Sequence, residues 1–240
     1  MDIIFDLDGT LIDEDTTLFY KILFGELLKR FNMKFGVEKD VFVPAMHKTM
    51  VEMGNVDGSE PIASRFFKTL SELISIPESL TLAEFEEFFN NEFDKVLVAY
   101  KAKPTMAKVV QVLKEQGHRL IIATDPFLPK VAVDKKIEHC GLNIKDFHLV
   151  TYNADCNYVK TSPKFFEELF QRLHTNPKNA IVIGNTIPTD IPAFPVRAAF
   201  ILQETVREKG STNMPYSMVS CEELLEMVES ATNTSGNCSE

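Results

Sequence analysis

The chain has 240 residues, of which 45% are hydrophobic and 25% charged, and its formal net charge is -10 at pH 7. This length and composition are typical of a globular protein with one compact unit and a smaller insertion. The acidic balance argues against a nucleic-acid partner, which needs clustered Lys and Arg, but not against a small phosphorylated ligand in a locally cationic cleft.

The cysteines and the apolar runs provide information about the cellular location of the protein. The four cysteines are widely spaced and form no Cys-x-x-Cys pair, which predicts reduced thiols and no zinc cluster. No apolar run approaches the roughly eighteen residues of a membrane span, and the first residues do not resemble a signal segment. We therefore expect a cytoplasmic location and no membrane partner.

The first predicted element is a strand that ends in two carboxylates. Residues 2–7 form an apolar, β-branched and aromatic run before Gly9, which is typical of a strand buried on both faces. Asp6 and Asp8 lie at its end, and the carboxyl ends of strands in open α/β sheets face the ligand crevice. The alternative is that both aspartates only form hydrogen bonds in a turn.

Residues 15–102 are predicted to be entirely helical. The amphipathic segments are 17–31, 41–53, 62–73 and one that opens with the capping box Thr81-x-x-Glu84. Met46, Met50 and Met53 recur on one face of the second segment. Such a stripe is more often core than ligand site, since Met fills irregular gaps, so we assign it to the core of this segment.

From residue 103 onwards, strands and helices alternate. The predicted elements are helix 104–117, strand 120–123, helix 129–140, strand 149–152, helix 163–173, strand 180–183, a helix from about Asp190, strand 200–202 and helix 222–228. This alternation predicts an α/β fold with a doubly wound parallel sheet. Its core comprises residues 1–14 and 103–230, with 15–102 as an inserted all-helical cap domain, and residues 231–240 are predicted to be a frayed polar tail.

Polar residues also follow the later strands. The hydroxyl of Thr124 and the amides after it can bind an anionic oxygen, or Thr124 can cap the next helix. Lys160 precedes the helix that begins near Pro163, where a lysine is more often a solvated surface residue. Asp190 follows the strand and turn of IVIGNTIPTDI, where it can be a helix N-cap or a ligand.

These motifs, in this order, resemble those of the haloacid dehalogenase-like hydrolases. The strand followed by DLDGTL resembles the first motif of the family, and Lys160, rather than Lys164, fits the K-x-x-P-x-x-F spacing of the third. The segment from Gly184 to Asp190 resembles the acidic loop that holds magnesium, with Asp190 as its second acid. The resemblance spans nearly the whole chain and implies a Rossmann-type core with a helical cap.

One feature departs from the family pattern, because Asn185 and Thr186 stand where the first acid of that loop is expected. The chain also resembles a subgroup whose second and fourth motifs read roughly T-N-P and G-N-D. Here these motifs read T-D-P and G-N-T, so Thr186 is the substitution and Asp125 is an unexpected carboxylate. Asp125 either compensates for the missing acid or caps a helix that starts near Pro126.

The resemblance implies phosphoryl transfer through an aspartyl-phosphate. Asp6 would be the nucleophile, and Asp8 would donate a proton to the leaving group and later accept one from water. The implied phosphate-binding residues are Thr124, Asp125 and Lys160. The implied Mg2+ ligands are Asp6, Asp8 through its main-chain carbonyl, and Asn185 or Asp190.

The second aspartate of the first motif also bears on the reaction. Asp8 favours a phosphatase over a dehalogenase, because displacing a halide needs no proton donor. The expected substrate is a small phosphorylated metabolite such as a sugar phosphate, a polyol phosphate or a nucleotide. The alternative, favoured by the altered fourth motif, is a binding or regulatory protein that recognises phosphate without turnover.

Overall fold

A computed structural model describes residues 1–55 and 57–235 of the chain. Its strands are β1 (Asp2–Phe5), β2 (Ile12–Glu14), β3 (Tyr100–Ala102), β4 (Arg119–Ile122), β5 (Leu149–Val150), β6 (Ala180–Gly184), β7 (Thr186–Ile187), β8 (Ala198–Leu202), β9 (Arg207–Glu208) and β10 (Ser217–Val219). Its helices are α1 (Thr16–Phe35), α2 (Lys39–Glu52), α3 (Ile62–Ile74), α4 (Glu78–Asn91), α5 (Pro104–Glu115), α6 (Lys130–His139), α7 (Lys164–Leu173) and α8 (Cys221–Ser235).

The central sheet has six strands in the order β10-β8-β6-β1-β4-β5, and the neighbouring strands are parallel. The first strand of the chain therefore lies in the interior of the sheet, between β4 and β6. Parallel neighbours bring the carboxyl ends of β1, β4 and β6 to one edge, so residues that follow these strands meet there. The predicted doubly wound α/β fold is confirmed.

The side chains of β1 show why both faces of the sheet are covered. Ile3 and Phe5 pack in a buried cluster with side chains of α5, α6 and α8, whereas Ile4 packs in another with side chains of α7. Successive side chains of a strand point to opposite faces. The continuous apolar run therefore supplies both faces, as expected for a strand covered by helices on each side.

The inserted segment is helical, as predicted, but a two-stranded ribbon lies at its base. Strands β2 and β3 pair antiparallel, with Ile12 opposite Ala102 and Glu14 opposite Tyr100, and α1–α4 all lie between them in sequence. The prediction that residues 15–102 are entirely helical is therefore wrong at residues 100–102. The cause is tertiary pairing, since three residues carry too short a pattern to indicate a strand.

The predicted capping box at Thr81 is also wrong. Helix α4 begins at Glu78 after Pro77, and the Thr81 hydroxyl donates to the carbonyl of Pro77 within the helix, at 3.3 Å. Glu84 forms ion pairs with Arg30 and Lys34 of α1. The Glu84 side chain therefore joins α4 to α1 through ion pairs and does not form the predicted capping box with Thr81.

No helix begins at Asp190 in the part of the chain that the structure describes, contrary to prediction. After β7 the chain runs through turns to β8, in a segment that contains Pro188, Pro192 and Pro195. Proline has no backbone N–H and clashes with the preceding helical turn, which explains why helical structure does not develop. The bounds of the neighbouring strands and helices agree with the predicted bounds to within a few residues. Strand β10, at the edge of the sheet, is not among the predicted strands.

The end of the chain is more helical than predicted. Helix α8 continues to Ser235, so residues 231–235 of the predicted tail are helical, and residues 236–240 lie outside the described residues. Among the described helices, none is long and apolar enough to cross a membrane.

The register of β1 against β4 predicts a pH-dependent contribution to stability. Asp2 lies opposite Arg119, whose guanidinium donates to both carboxylate oxygens at 2.6 and 2.7 Å. Burial raises the pKa of Asp2, but hydrogen bonds from Arg119 and Thr175 outweigh it and hold the pKa below its usual value. A lowered carboxyl pKa stabilises the fold above the unfolded-state value near 4, and this contribution disappears as the pH falls through the folded-state value.

We therefore expect Asp2→Asn to lower the free energy of unfolding by about 1 kcal/mol at pH 7, and by progressively less below about pH 4. Urea unfolding at several pH values measures the difference between the variant and the wild type. Glu229→Gln, at an exposed carboxyl of α8, is the matched control and should change stability by less than about 0.5 kcal/mol. An Asp2→Asn effect that is the same at every pH would contradict this account.

Candidate active site

Asp6 and Asp8 extend from the end of β1 into the cleft at the sheet edge. The Asp6 amide still donates to Ile183 of β6, at 2.8 Å, so the sheet fixes its main chain. The chain then turns at Gly9, whose φ of +89° favours glycine and where a Cβ would lie 2.2 Å from the side-chain nitrogen of Asn185. The two carboxylates consequently line one cavity, with Asp6 buried and Asp8 partly exposed.

Lys160 lies beside Asp6 and is buried. Its Nζ donates to Asp6 Oδ1 at 2.7 Å and also pairs with the carboxylate of Asp190. The surface-residue alternative is therefore wrong, whereas Lys164 at the start of α7 is exposed. The second Asp6 oxygen accepts a hydrogen bond from the hydroxyl of Thr10, at 2.9 Å, so both oxygens of this carboxylate are held.

Asp190 fixes the loop that follows β6. Its Oδ2 accepts hydrogen bonds from the amides of Asn185 and Thr186 at 2.9 and 2.8 Å, while Oδ1 is paired with Lys160. A Cβ on Gly184 would lie 2.3 Å from Cβ of Asp190, so a glycine is needed for this close approach. The N-cap interpretation of Asp190 is wrong, because its carboxylate binds these preceding amides and Lys160 instead.

Thr124 and Asp125 follow β4 and line the same cavity. Helix α6 begins only at Lys130, after Pro129, so neither residue caps it, and both capping alternatives are wrong. The carboxylate of Asp125 instead accepts a hydrogen bond from the amide of Lys160, at 3.2 Å. The two segments that follow β4 and β5 are thereby joined at the site.

Negative charge exceeds positive charge among the buried groups around Asp6. Burial raises the pKa of Asp6 to about 7, and the charge of Asp190 adds to this effect while Lys160 opposes it. Burial likewise raises the pKa of Asp125 to about 6. Burial lowers the pKa of Lys160, but Asp190 and Asp6 outweigh it, so the lysine remains charged. The buried Lys160 ammonium thus faces both Asp6 and Asp190, with Asp125 nearby, an arrangement that favours an additional cation.

The donors at this edge fit a magnesium ion bound largely through water. The described residues contain no group of three His, Cys, Asp or Glu side chains arranged to hold a metal. Mg2+, however, commonly uses one or two carboxylates and keeps several waters. The Asn185 amide oxygen accepts from the hydroxyl of Thr186 at 3.1 Å, and its nitrogen donates to the Thr205 carbonyl at 2.9 Å. Asp6, Asn185 and Asp190 therefore all carry hard oxygen donors, each of which also has a hydrogen-bond or ion-pair partner. Asp6 and Asp190 line the cavity.

Lys136 is a site residue that the sequence analysis missed. It is 2% exposed, its Nζ lies 2.7 Å from the carboxylate of Asp8, and it also lies over the ring of Tyr100. Its position in α6 carried a signal, because Ala132, Val133 and Ile137 place it on the buried face of that helix. A lysine on an apolar helix face needs a buried partner, and Asp8 is that partner.

A cavity of about 280 Å³ lies between the sheet edge and the inserted helices. The residues that follow the strands contribute carboxylates, hydroxyls and lysines to its wall, and α1–α4 contribute mostly aromatic and aliphatic side chains. Met46 is buried in the core as predicted, and both it and the partly buried Met50 also line this cavity.

Comparison with known proteins identifies the relatives of this chain. The family model described as haloacid dehalogenase-like hydrolase matches residues 3–195. The bifunctional riboflavin kinase/FMN phosphatase of Arabidopsis thaliana is 23% identical over 188 residues, which are 78% of this chain but only 44% of that protein. Pyrophosphatase PpaX of Bacillus thuringiensis strain Al Hakam is 25% identical over 186 residues, which are 76% of this chain and 73% of that protein.

Solved structures share the fold at lower identity. A HAD phosphatase from Thermococcus onnurineus has a TM-score of 0.56 at 20% identity, with 95% of this chain and 97% of that chain covered. A 2-haloacid dehalogenase from Pseudomonas syringae pv. Tomato DC3000 has a TM-score of 0.61 at 15% identity, with 97% and 98% covered. Since the second is a dehalogenase and the first a phosphatase, the shared fold leaves the reaction to be argued from the site.

The buried contact between Lys136 and Asp8 predicts an unequal response of two lysines in the same helix. Lys136→Met keeps the side-chain volume but leaves the Asp8 carboxylate without its ammonium, so we expect the free energy of unfolding to fall by about 1–3 kcal/mol. Lys130→Met is the matched control, because Lys130 is 65% exposed and its pair with Asp134 is a surface contact.

The control should change stability by less than about 1 kcal/mol. Urea unfolding of both variants and of Lys136→Met combined with Asp8→Asn gives the coupling between the two charges. Equal losses in Lys130→Met and Lys136→Met, or no coupling with Asp8→Asn, would show that the buried contact contributes nothing specific.

Proposed function

The chain belongs to the haloacid dehalogenase-like hydrolases, and from this premise we propose that it is a magnesium-dependent phosphohydrolase of a small phosphorylated metabolite. The observation that carries the proposal is the position of Asp6 at the end of β1, with Lys160 Nζ at 2.7 Å and Asp8 two residues further along the same cavity. A held carboxylate, a fixed positive charge and a second carboxylate are the groups that phosphoryl transfer through an enzyme carboxylate requires.

In the proposed first step, an Asp6 oxygen attacks phosphorus while the bond from phosphorus to the leaving oxygen breaks. The product of this step is an aspartyl-phosphate, and Asp8 gives a proton to the departing alkoxide. Thr10 and Lys160 orient the nucleophile, because each donates a hydrogen bond to one of its oxygens. Both bonds exist before substrate binds, so the carboxylate is preorganised for attack.

In the second step, water attacks the phosphorus of the aspartyl-phosphate and gives a proton to Asp8. This restores the Asp6 carboxylate and releases inorganic phosphate, so the cycle is closed without another reactant. Lys136 acts here as a positioning residue, since its ammonium holds the Asp8 carboxylate at 2.7 Å. Asp8 also supports a phosphatase over a dehalogenase, because only the former must protonate a leaving group.

The phosphoryl oxygens are proposed to lie against Thr124, Asp125 and Lys160. The Thr124 hydroxyl and the amides that follow it supply donors, and Lys160 supplies the positive charge. Asp125 holds the Lys160 main chain through its carboxylate. Burial raises the pKa of Asp125 to about 6.

A magnesium ion would be held by Asp6, the main-chain carbonyl of Asp8, and either Asn185 or Asp190. When bound, such an ion neutralises charge on the phosphoryl oxygens. Asp190 lines the cavity and is also proposed as a positioning residue, because its oxygens bind Lys160 and the loop amides. It anchors the loop that carries Asn185.

The helical segment 15–102 is proposed to act as a cap that covers the cavity and selects the leaving group. Besides the pairing of β3 with β2, backbone hydrogen bonds connect it to the core from the amides of Ile62 and Ala63 at the start of α3 to the carbonyls of Cys156 and Asn153. The names of the relatives, a pyrophosphatase and an FMN phosphatase, support a substrate that carries a phosphoryl group.

We expect hydrolysis of small phosphomonoesters with Mg2+ and its loss in Asp6→Asn, which retains the shape of the side chain but is not a nucleophile. Asp8→Asn should slow turnover by about 100- to 10,000-fold, the usual contribution of a general acid. The control is Asp40→Asn, an exposed carboxyl in the first turn of α2, which should not change the rate.

The measurement is phosphate release across a broad panel, with Mg2+ added and removed. Asp6→Asn turnover close to that of the wild type would refute the mechanism. An inactive wild type that still binds phosphate analogues would favour the alternative function, a binding or regulatory protein without turnover.

The altered fourth motif generates a separate prediction about metal affinity. Thr186 and Asp125 both line the cavity, so a carboxylate at one position can replace the function of a carboxylate at the other. If this compensation operates, Thr186→Asp should tighten Mg2+ binding by about 10-fold, and Asp125→Asn should weaken it.

Calorimetric titration of Mg2+ into both single variants and the double variant measures the coupling directly. Independent effects would rule out compensation between the two positions. Unchanged affinity in Thr186→Asp would indicate that Asn185 or Asp190 already holds the metal without a contribution from position 186.

A further inference from the structure

The wall of the cavity divides by chemistry between the core and the helical cap. Apart from Thr16 and the hydroxyl of Tyr20, the side chains that α1–α4 contribute to the cavity are entirely apolar. They come from all four helices, including Phe24 of α1, Met50 of α2 and Phe67 of α3. The carboxylates and ammonium groups around Asp6, by contrast, come from the core.

This apolar wall is distinct from the closed interior of the cap. Phe31, Phe42, Phe88 and Phe93 form that interior, since each is at most 1% exposed and none lines the cavity. The rings along the cavity are less enclosed. The cap therefore has an aromatic core that stabilises it, and additional aromatic side chains that its own packing leaves available.

Two adjacent rings of α3 illustrate this arrangement. Phe66 and Phe67 pack edge-on against buried Phe85, with ring centroids 5.8 and 5.3 Å apart, yet both remain half-buried and line the cavity. Edge-on packing against Phe85 fixes their orientation, and the uncovered part of each ring is available to a flat or apolar group.

Such a wall discriminates among leaving groups. A sugar or polyol would place several hydroxyls against it with few partners, and each unpartnered hydroxyl lowers affinity by about 10-fold. An apolar ring would instead gain affinity by leaving water. The volume of about 280 Å³ lies near the lower end of ligand cavities, so one ring suits it better than a large cofactor.

We propose that the substrate is a phosphomonoester whose leaving group is an alcohol bearing a single flat or apolar ring. This inference rests on the proposed function for the phosphoryl end of the substrate, and adds the half-buried rings of α3 and Met50 as specificity determinants. The phosphoryl group lies at Asp6 and Lys160, and the ring lies against α1–α4.

Binding of non-hydrolysable phosphonates tests the substrate class without requiring turnover. Calorimetry with the full chain and Mg2+ compares benzylphosphonate, methylphosphonate and 3,4-dihydroxybutylphosphonate. We expect benzylphosphonate to bind at least 10-fold more tightly than methylphosphonate, and the dihydroxybutyl compound to gain nothing. Equal binding of benzyl and methyl compounds, tighter binding of the dihydroxy compound, or no binding of any would overturn the inference.

Substitutions in the apolar wall test which side chains provide the preference for the benzyl group. Phe67→Gln and Met50→Gln should each reduce the benzyl advantage by about 5-fold or more while leaving methylphosphonate affinity unchanged, and Phe67→Leu should retain most of it. Leu80→Gln, at an exposed apolar residue of α4 outside the cavity, is the matched control and should bind like the wild type. Thermal melting identifies any variant that fails to fold, and Met50→Gln then replaces Phe67→Gln. A full benzyl advantage in both folded Gln variants would overturn the assignment to this wall.

Turnover distinguishes the two proposals. Hydrolysis of acetyl phosphate but not of benzyl phosphate would overturn the substrate class and leave the phosphatase proposal intact. Tight benzylphosphonate binding without hydrolysis of any phosphoester would support the binding preference and overturn the proposed catalysis.

Discussion

The buried ammonium of Lys160 is the interaction on which the candidate site depends. It contacts carboxylates from two separate strand ends, Asp6 after β1 and Asp190 after β6. Without it, two buried negative charges would face each other in a medium that solvates neither, and burying an unpaired charge is far more costly than burying a paired one. Asp190 extends the network, because its other oxygen binds the amides of Asn185 and Thr186. The ion pairs therefore fix the geometry of the site as well as its charge distribution.

The sheet makes this network possible. Strand β1 lies between β4 and β6 and is buried on both faces, so the main chain at Asp6 is fixed by its neighbours. The Asp6 carboxylate is therefore not needed to hold the main chain, and it binds Thr10 and Lys160. Burial, and to a lesser extent the neighbouring charge of Asp190, raises the pKa of Asp6 to about 7. The carboxylates of Asp6 and Asp190 favour the binding of a cation, and the proposed magnesium ion would balance their negative charge.

The cap and the core contribute different chemistry to one cavity. The core supplies the charged groups together with Phe127, Leu128 and Val133, whereas α1–α4 supply mostly apolar rings and thioethers. Under the proposed function, this division would separate the chemical step from the choice of leaving group, because substitutions in the cap wall need not alter the groups around Asp6. Lys136 links α6 to the first motif, since its ammonium contacts the Asp8 carboxylate and also lies over the ring of Tyr100 in β3. The β2–β3 ribbon at the base of the inserted helices and Asp8 are therefore joined through one lysine.

The sequence by itself determined the α/β core, the inserted helices and the strand-end positions of Asp6, Asp8 and Lys160, because hydrophobic periodicity and motif spacing are local properties. Only the tertiary structure decided that Asp190 anchors a loop instead of capping a helix, and that Lys136 reaches Asp8. These contacts join residues far apart in the chain, and residues 136 and 8 are separated by 128 positions. A local pattern reveals that a charged side chain needs a partner, but the fold selects which partner lies within hydrogen-bond distance.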